Sequence, residues 1–170
     1  MRRLTLFCMA AALPLISFPG PTSFAADEIS RTMKQIIDHR SDDFAEIRKD
    51  PQDAYGETAY KSTVAIPGAT ECYIRVEMKP HYADSCDVAE SKNRALLLAK
   101  YAKYAKELRS VAPAAWISWT EPRTKPTGER TYVGPDRSHP VAMVGWVVEG
   151  MNANFFLLTV TVYAEGSVKQ

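Results

Sequence analysis

The stretch TECYIRVEM, residues 70–78, decides the reading of this chain. Cys72, Ile74, Val76 and Met78 alternate with Glu71, Tyr73, Arg75 and Glu77. Period-two alternation of this kind marks a strand with one buried and one polar face, the usual situation in antiparallel sheets. Pro67-Gly68-Ala69 supplies a tight turn just before it, and residues 60–66 read as the strand that enters the turn.

Toward the C-terminus, residues 141–149 and 154–163 read as a second hairpin around Gly150-Met151-Asn152-Ala153. Phe156, Leu158, Val160 and Val162 fall on one face and belong to the core. The alternate face carries Phe155, Leu157, Thr159, Thr161 and Tyr163 and is too apolar to be merely wet. With Met143 and Val147 beside it and Tyr73 and Arg75 at its border, this face forms a candidate interaction surface. Two readings stand: the N-terminal helix covers the patch, or a partner does, since large exposed apolar patches mark binding sites.

Two amphipathic helices flank the first hairpin. From Asp27 to Arg48, Ile29, Met33, Ile36, Ile37, Phe44 and Ile47 keep one helical face apolar, and Asp50-Pro51 ends the run in a loop through Gly56. A longer helix is expected after Asp84-Ser85, which can cap it. It carries Val88, Leu97, Tyr101, Tyr104, Leu108 and Val111 as its stripe and stops at Pro113. Residues 115–121 form a short strand with Trp116 and Trp119, and residues 122–140, rich in Pro, Gly and charge, read as a long connection.

The resulting order is α-β-β-α-β-β-β, with no βαβ rhythm and no internal sequence repeat. It predicts an α+β fold, a mainly antiparallel sheet of about five strands with the two helices on one side. This order loosely resembles the layout of secretion-chaperone-like folds and, less closely, of cystatin-like folds. The resemblance implies topology only, because fold does not determine function.

Residues 1–25 have the grammar of a cleavable signal peptide: Arg2 and Arg3, an apolar run from Leu4 to Ile16, and small residues before a cut after Ala25. The run is too short for a permanent membrane span and is broken by Pro14. Cleavage leaves residues 26–170 as a single domain, periplasmic or extracellular, with no integral membrane segment. It removes Cys8, and the 21 Lys and Arg against 20 Asp and Glu become 19 against 20. A near-neutral chain without a basic cluster argues against nucleic acid as a partner.

In an oxidising compartment the two remaining cysteines, Cys72 and Cys86, are expected to pair. Closing a loop of about 15 residues contributes roughly 3 kcal/mol in the chain-entropy picture. The competing readings make Cys86 a thiolate at a helix N-terminus with His81 as its base, or make Cys72, His81 and Cys86 three ligands of a metal. Asp50, Asp53 and Glu57 form an acidic group without the alternating positions of a calcium loop. Nucleophile-elbow, zinc-helix and phosphate-loop motifs are missing, so no catalytic residue, metal ligand or cofactor is assigned.

The expected function is that of a small exported, non-enzymatic binding protein. It would act by contact through the sheet face and the 122–140 connection, as an inhibitor or immunity-type partner of another secreted protein. The alternative is a small-ligand carrier or modest hydrolase with a pocket between sheet and long helix, lined by His81, Tyr101 or Tyr104. Self-association through the hairpin face or a sheet edge is the third reading.

Overall fold

The computed structural model describes residues 22–54, 57–78, 81–149 and 155–166. The expected signal segment through residue 21 and the turn at 150–153 lie outside them. Helix α1 (Thr22–Asp38) passes through a 3-10 turn (His39–Asp42) into strands β1 (Arg48–Ala54), β2 (Glu57–Ser62), β3 (Glu71–Met78) and β4 (His81–Ser91). Helix α2 (Arg94–Val111) then leads into β5 (Ile117–Thr124), β6 (Thr127–Gly134), β7 (Ala142–Glu149) and β8 (Phe155–Tyr163). The chain therefore runs the same path twice, a helix followed by a four-strand meander.

All eight strands join one antiparallel sheet in the order β1-β2-β3-β4-β8-β7-β6-β5. Exchanging the two halves only reverses that order, so the strand order of one half mirrors that of the other about the central strands β4 and β8. The α+β class expected from sequence holds, but the sheet has eight strands rather than about five. The seven-element order, on which the chaperone-like and cystatin-like layouts rested, is replaced with it.

The three additional strands were hidden for identifiable reasons. Strand β1 falls where Asp50-Pro51 predicts a loop, β5 is the strand expected at 115–121 carried on through Pro122, and β6 lies within the expected 122–140 connection. Both β1 and β5 are sheet edges, where a proline leaves no ladder bond unmade. Strand β4 was assigned to the start of the long helix because its inward positions include Asp84 beside Cys86, which conceals the apolar alternation. The cap of α2 is instead Asn93, whose side-chain oxygen accepts from the Leu96 N–H at 3.2 Å.

One face of the sheet carries both helices. Leu97, Tyr101, Tyr104 and Leu108 of α2 and Ile29, Met33 and Ile36 of α1 share a single core with Cys72, Ile74, Cys86, Val144, Leu158, Val160 and Val162. The Tyr101 hydroxyl lies 2.7 Å from Thr131 Oγ1 on β6, which fixes α2 over the second half of the sheet. Ser30 donates to Glu107 Oε2 at 2.6 Å and sets the start of α1 against the end of α2. No described helix is long and apolar enough to cross a membrane.

Two outcomes follow from these positions. Leu158 is fully buried whereas Leu96 on α2 is 57% exposed. Leu158→Ala should cost about 3 kcal/mol in urea denaturation, and Leu96→Ala should change stability by less than about 0.5 kcal/mol. Replacing the edge prolines, Pro51→Val with Pro122→Val, supplies two missing ladder donors and should produce concentration-dependent association in light scattering that the natural chain lacks.

Candidate functional site

The register places Cys72 on β3 directly opposite Cys86 on β4, and the two form a disulfide with Cα atoms 4.1 Å apart. Cys86 is therefore a strand residue, and the proposal of a thiolate at a helix N-terminus is corrected by the course of β4. A metal site built on free Cys72 and Cys86 thiolates falls with it, since both sulfurs are oxidised. The side chain of His81, invoked in both readings, lies outside the described residues.

Asp84, two residues before Cys86, faces the same side of the sheet and is 1% exposed. Its Oδ2 accepts from the Ser62 hydroxyl at 2.7 Å, and its Oδ1 stands 3.8 Å from Cys86 Sγ. No ion pair to Asp84 occurs among the described residues. Burial pushes its pKa up to about 7, against the smaller downward pull of the Ser62 hydroxyl. A carboxyl that titrates near neutrality thus lies against a disulfide in the core.

Ser62 and Cys72 also border a cavity of about 280 Å³ with Ala65, Ala69 and Thr70, and Lys61 and Glu71 add one charge of each sign. The roof is the segment between β2 and β3. Gly68 there has φ of +86°, and a Cβ at this position would stand 2.9 Å from the Tyr104 hydroxyl. That hydroxyl donates to Pro67 O at 2.6 Å, so α2 holds the segment down. This cavity lies beside β2 and β3, and its lining includes neither Tyr101 nor Tyr104. Its volume falls just below the usual range for small-molecule pockets.

The other face of the sheet collects the residues singled out from the sequence. Phe155 is 38% exposed, Arg75, Val147, Leu157 and Tyr163 are half-buried, and Tyr73 and Met143 are buried. Cross-strand pairing sets Val147 against Leu157 and Met143 against Thr161, which brings the β7 and β8 members side by side. Sequence reasoning missed the continuation across β6 and β5, where Tyr132 stacks on Trp119 with ring centroids 5.3 Å apart beside Met143 and Tyr163. The signal was present in Trp119, but without β6 nothing paired it with Tyr132.

Charges are interleaved with these rings. The Arg75 guanidinium lies 4.4 Å from the centre of the Tyr73 ring and donates to its hydroxyl, and Lys92 sits 5.1 Å over Phe155. Asp87 is raised above the ordinary carboxylate range, first by burial and then by Glu71 and Glu149, while Arg75 pulls it down. The helices α1 and α2 occupy the opposite face, so the N-terminal helix does not cover the Phe155 patch. The 122–140 connection expected at this surface is largely the β5–β6 hairpin, which leaves residues 135–141 as loop.

His39, Asp42 and Glu46 have ligand atoms within 4.8 Å of one another at the end of the 3-10 turn and can hold a cation in principle. His39 Nδ1 is 3.8 Å from Asp42 Oδ2 and 3.5 Å from Glu46 Oε2, while Asp42 Oδ1 is buried without a hydrogen-bond partner among the described residues. In the Asp50, Asp53 and Glu57 group, the side chains of Asp53 and Glu57 lie outside the described residues.

The raised pKa of Asp84 makes stability depend on pH. The folded chain holds this proton up to about pH 7, whereas the unfolded chain releases it near the ordinary aspartate value of 3.8. Stability from this group is complete below pH 4 and is lost as pH rises through 7, on the order of 4 kcal/mol in total. Asp84→Asn should remove that loss. Urea denaturation at pH 4 and pH 8 should show the variant gaining several kcal/mol on the natural chain as pH rises.

No protein family, curated protein or solved structure matches the chain in these comparisons.

Proposed function

We propose that this chain is an exported binding protein that contacts another secreted protein through the sheet face opposite the helices, as an inhibitor or immunity-type partner would. The observation that carries this reading is the composition of that face. Trp119, Met143, Val147, Phe155 and Leu157 lie among Arg75 and the ring pairs of Tyr73 and Tyr132, with both helices on the other side. Aromatic residues, Met and Arg are the types enriched at protein interfaces, and they supply most binding hot spots. Eight strands about 4.8 Å apart give a face roughly 34 Å wide, ample for a standard interface.

Export is supported by the signal-peptide grammar of residues 1–25 and by the disulfide, which persists in oxidising compartments. Placing the activity on the face rather than at an edge follows from Pro51 and Pro122, which blunt both edges of the sheet.

The test is affinity recovery with the immobilised chain 26–170 from the extracellular or periplasmic fraction of its source cells. A stoichiometric secreted partner should be recovered. Phe155→Asp with Leu157→Asp should reduce recovery more than tenfold, and Leu96→Asp on the helix side should leave it unchanged. Recovery of nothing but the chain itself at every concentration, or equal recovery by all three proteins, overturns the reading.

A further inference from the structure

We propose that the Cys72–Cys86 disulfide is a thiol–disulfide exchange site, in which a dithiol enters the cavity beside β2 and β3, attacks Cys72, and Asp84 protonates the departing Cys86 sulfur. The site, Cys72, Cys86, Asp84 and Ser62, lies on the helix side of the sheet, opposite the proposed binding face.

Three features of the geometry converge on it. A purely structural disulfide is served by apolar neighbours, yet here a carboxyl is placed in contact with one sulfur, where its own desolvation is unfavourable. Both cysteines are buried, Cys72 at 4% and Cys86 at 0% exposed, but of the two only Cys72 borders the cavity, so a dithiol seated there meets Cys72 first and the leaving sulfur is the one beside Asp84. Access and the identity of the attacked sulfur are what set the direction of exchange. Ser62, finally, lines the cavity, and its hydroxyl lies 2.7 Å from Asp84 Oδ2 and 3.0 Å from Val64 O, which places the buried carboxyl one side chain away from the cavity.

The groups around Asp84 leave its proton available for this use. Strand β2 presents Tyr60 and Ser62, with Lys61 at the cavity. Strand β3 presents Cys72 and Ile74, with Glu71 at the cavity. Strand β8 presents Val162, and Arg48 of β1 lies over the rings of Tyr60 and Tyr82, 5.2 Å and 4.8 Å from their centres. On α2 the Tyr104 hydroxyl is committed to Pro67 O.

The exchange balances as follows. One thiol of the dithiol loses its proton to solvent, and its sulfur bonds to Cys72 Sγ. The Cys72–Cys86 bond breaks, its electron pair leaves on Cys86 Sγ, and that sulfur takes the proton of Asp84. The second thiol, also deprotonated by solvent, attacks the first sulfur of the mixed disulfide and releases Cys72 as a thiolate, which takes a proton from water. Asp84 is reprotonated through Ser62. The dithiol is oxidised by two electrons to its disulfide, and the protein disulfide is reduced to two thiols.

The test measures reduction of the oxidised protein by dithiothreitol from pH 5 to pH 9, quenched in acid and read as alkylated thiols by intact mass. Without denaturant the rate should rise in proportion to dithiothreitol and should not change in 0 to 1 M urea. Corrected for the thiolate fraction of the reductant, it should be flat below pH 7 and fall about tenfold per pH unit above it. Asp84→Asn should be at least tenfold slower at pH 6, with a flat corrected profile. Thr70→Trp, which fills the cavity and leaves Asp84 in place, should slow reduction about tenfold without altering the profile. A rate independent of dithiothreitol and equal to that of global unfolding overturns the proposal. So does an unchanged corrected profile in Asp84→Asn, or an unchanged rate in Thr70→Trp.

Discussion

The pairing of β4 with β8 is the contact on which the rest of the structure depends. It joins Ala83 to Tyr163 and Ser91 to Phe156 across a wide sequence separation and turns two four-strand meanders into one continuous sheet. Each half has a helix and a meander but only half of a core. Once β4 and β8 are hydrogen-bonded, Cys86 stands beside Val160 and Asp84 beside Val162, and the apolar faces of both halves become one surface for α1 and α2 to cover. Loss of this ladder would expose two new sheet edges, neither of which carries the prolines found at the outer ones.

The same arrangement gives the two faces different chemistry. On the helix side the sheet is closed by apolar packing, and within that packing sit a disulfide and a carboxyl in contact, with a small cavity leading to one of the sulfurs. On the other side Trp119 stacks on Tyr132, and the Arg75 guanidinium lies over the Tyr73 ring. Burial there comes from neighbouring side chains across strands, as in the Trp119–Tyr132 stack, rather than from a layer of described helix. Such a face combines large contact area with few rotatable groups, which suits recognition of another surface.

What could be read directly from residues was local and periodic. The inward positions Cys72 and Ile74 of TECYIRVEM, the inward Leu158, Val160 and Val162 of the last strand and the stripe of Leu97, Tyr101, Tyr104 and Leu108 appear in the structure as expected, because each segment has one strongly buried side. The edge strands and β4 were not legible. Edge strands are half solvated and accept proline and charge, so their pattern matches that of loops. In β4 a bulge between Asp87 and Ala89 interrupts the alternation, and inward-facing Asp84 reads as polar surface.

The amino-acid sequence therefore determined, by itself, the α+β class, the inward face of β8, the pairing of Cys72 with Cys86 and the residues of the aromatic surface on β7 and β8. These follow from periodicity along one segment or from a cysteine count. Only the tertiary structure decided that the chain repeats one path twice, that both helices choose the Val160 face, and that Trp119 meets Tyr132. It alone brought Asp84 against the disulfide and Ser62 against both the carboxyl and the cavity. The physical reason is that these contacts are made across strands, between residues far apart in the chain, and no local pattern encodes which strands will be neighbours.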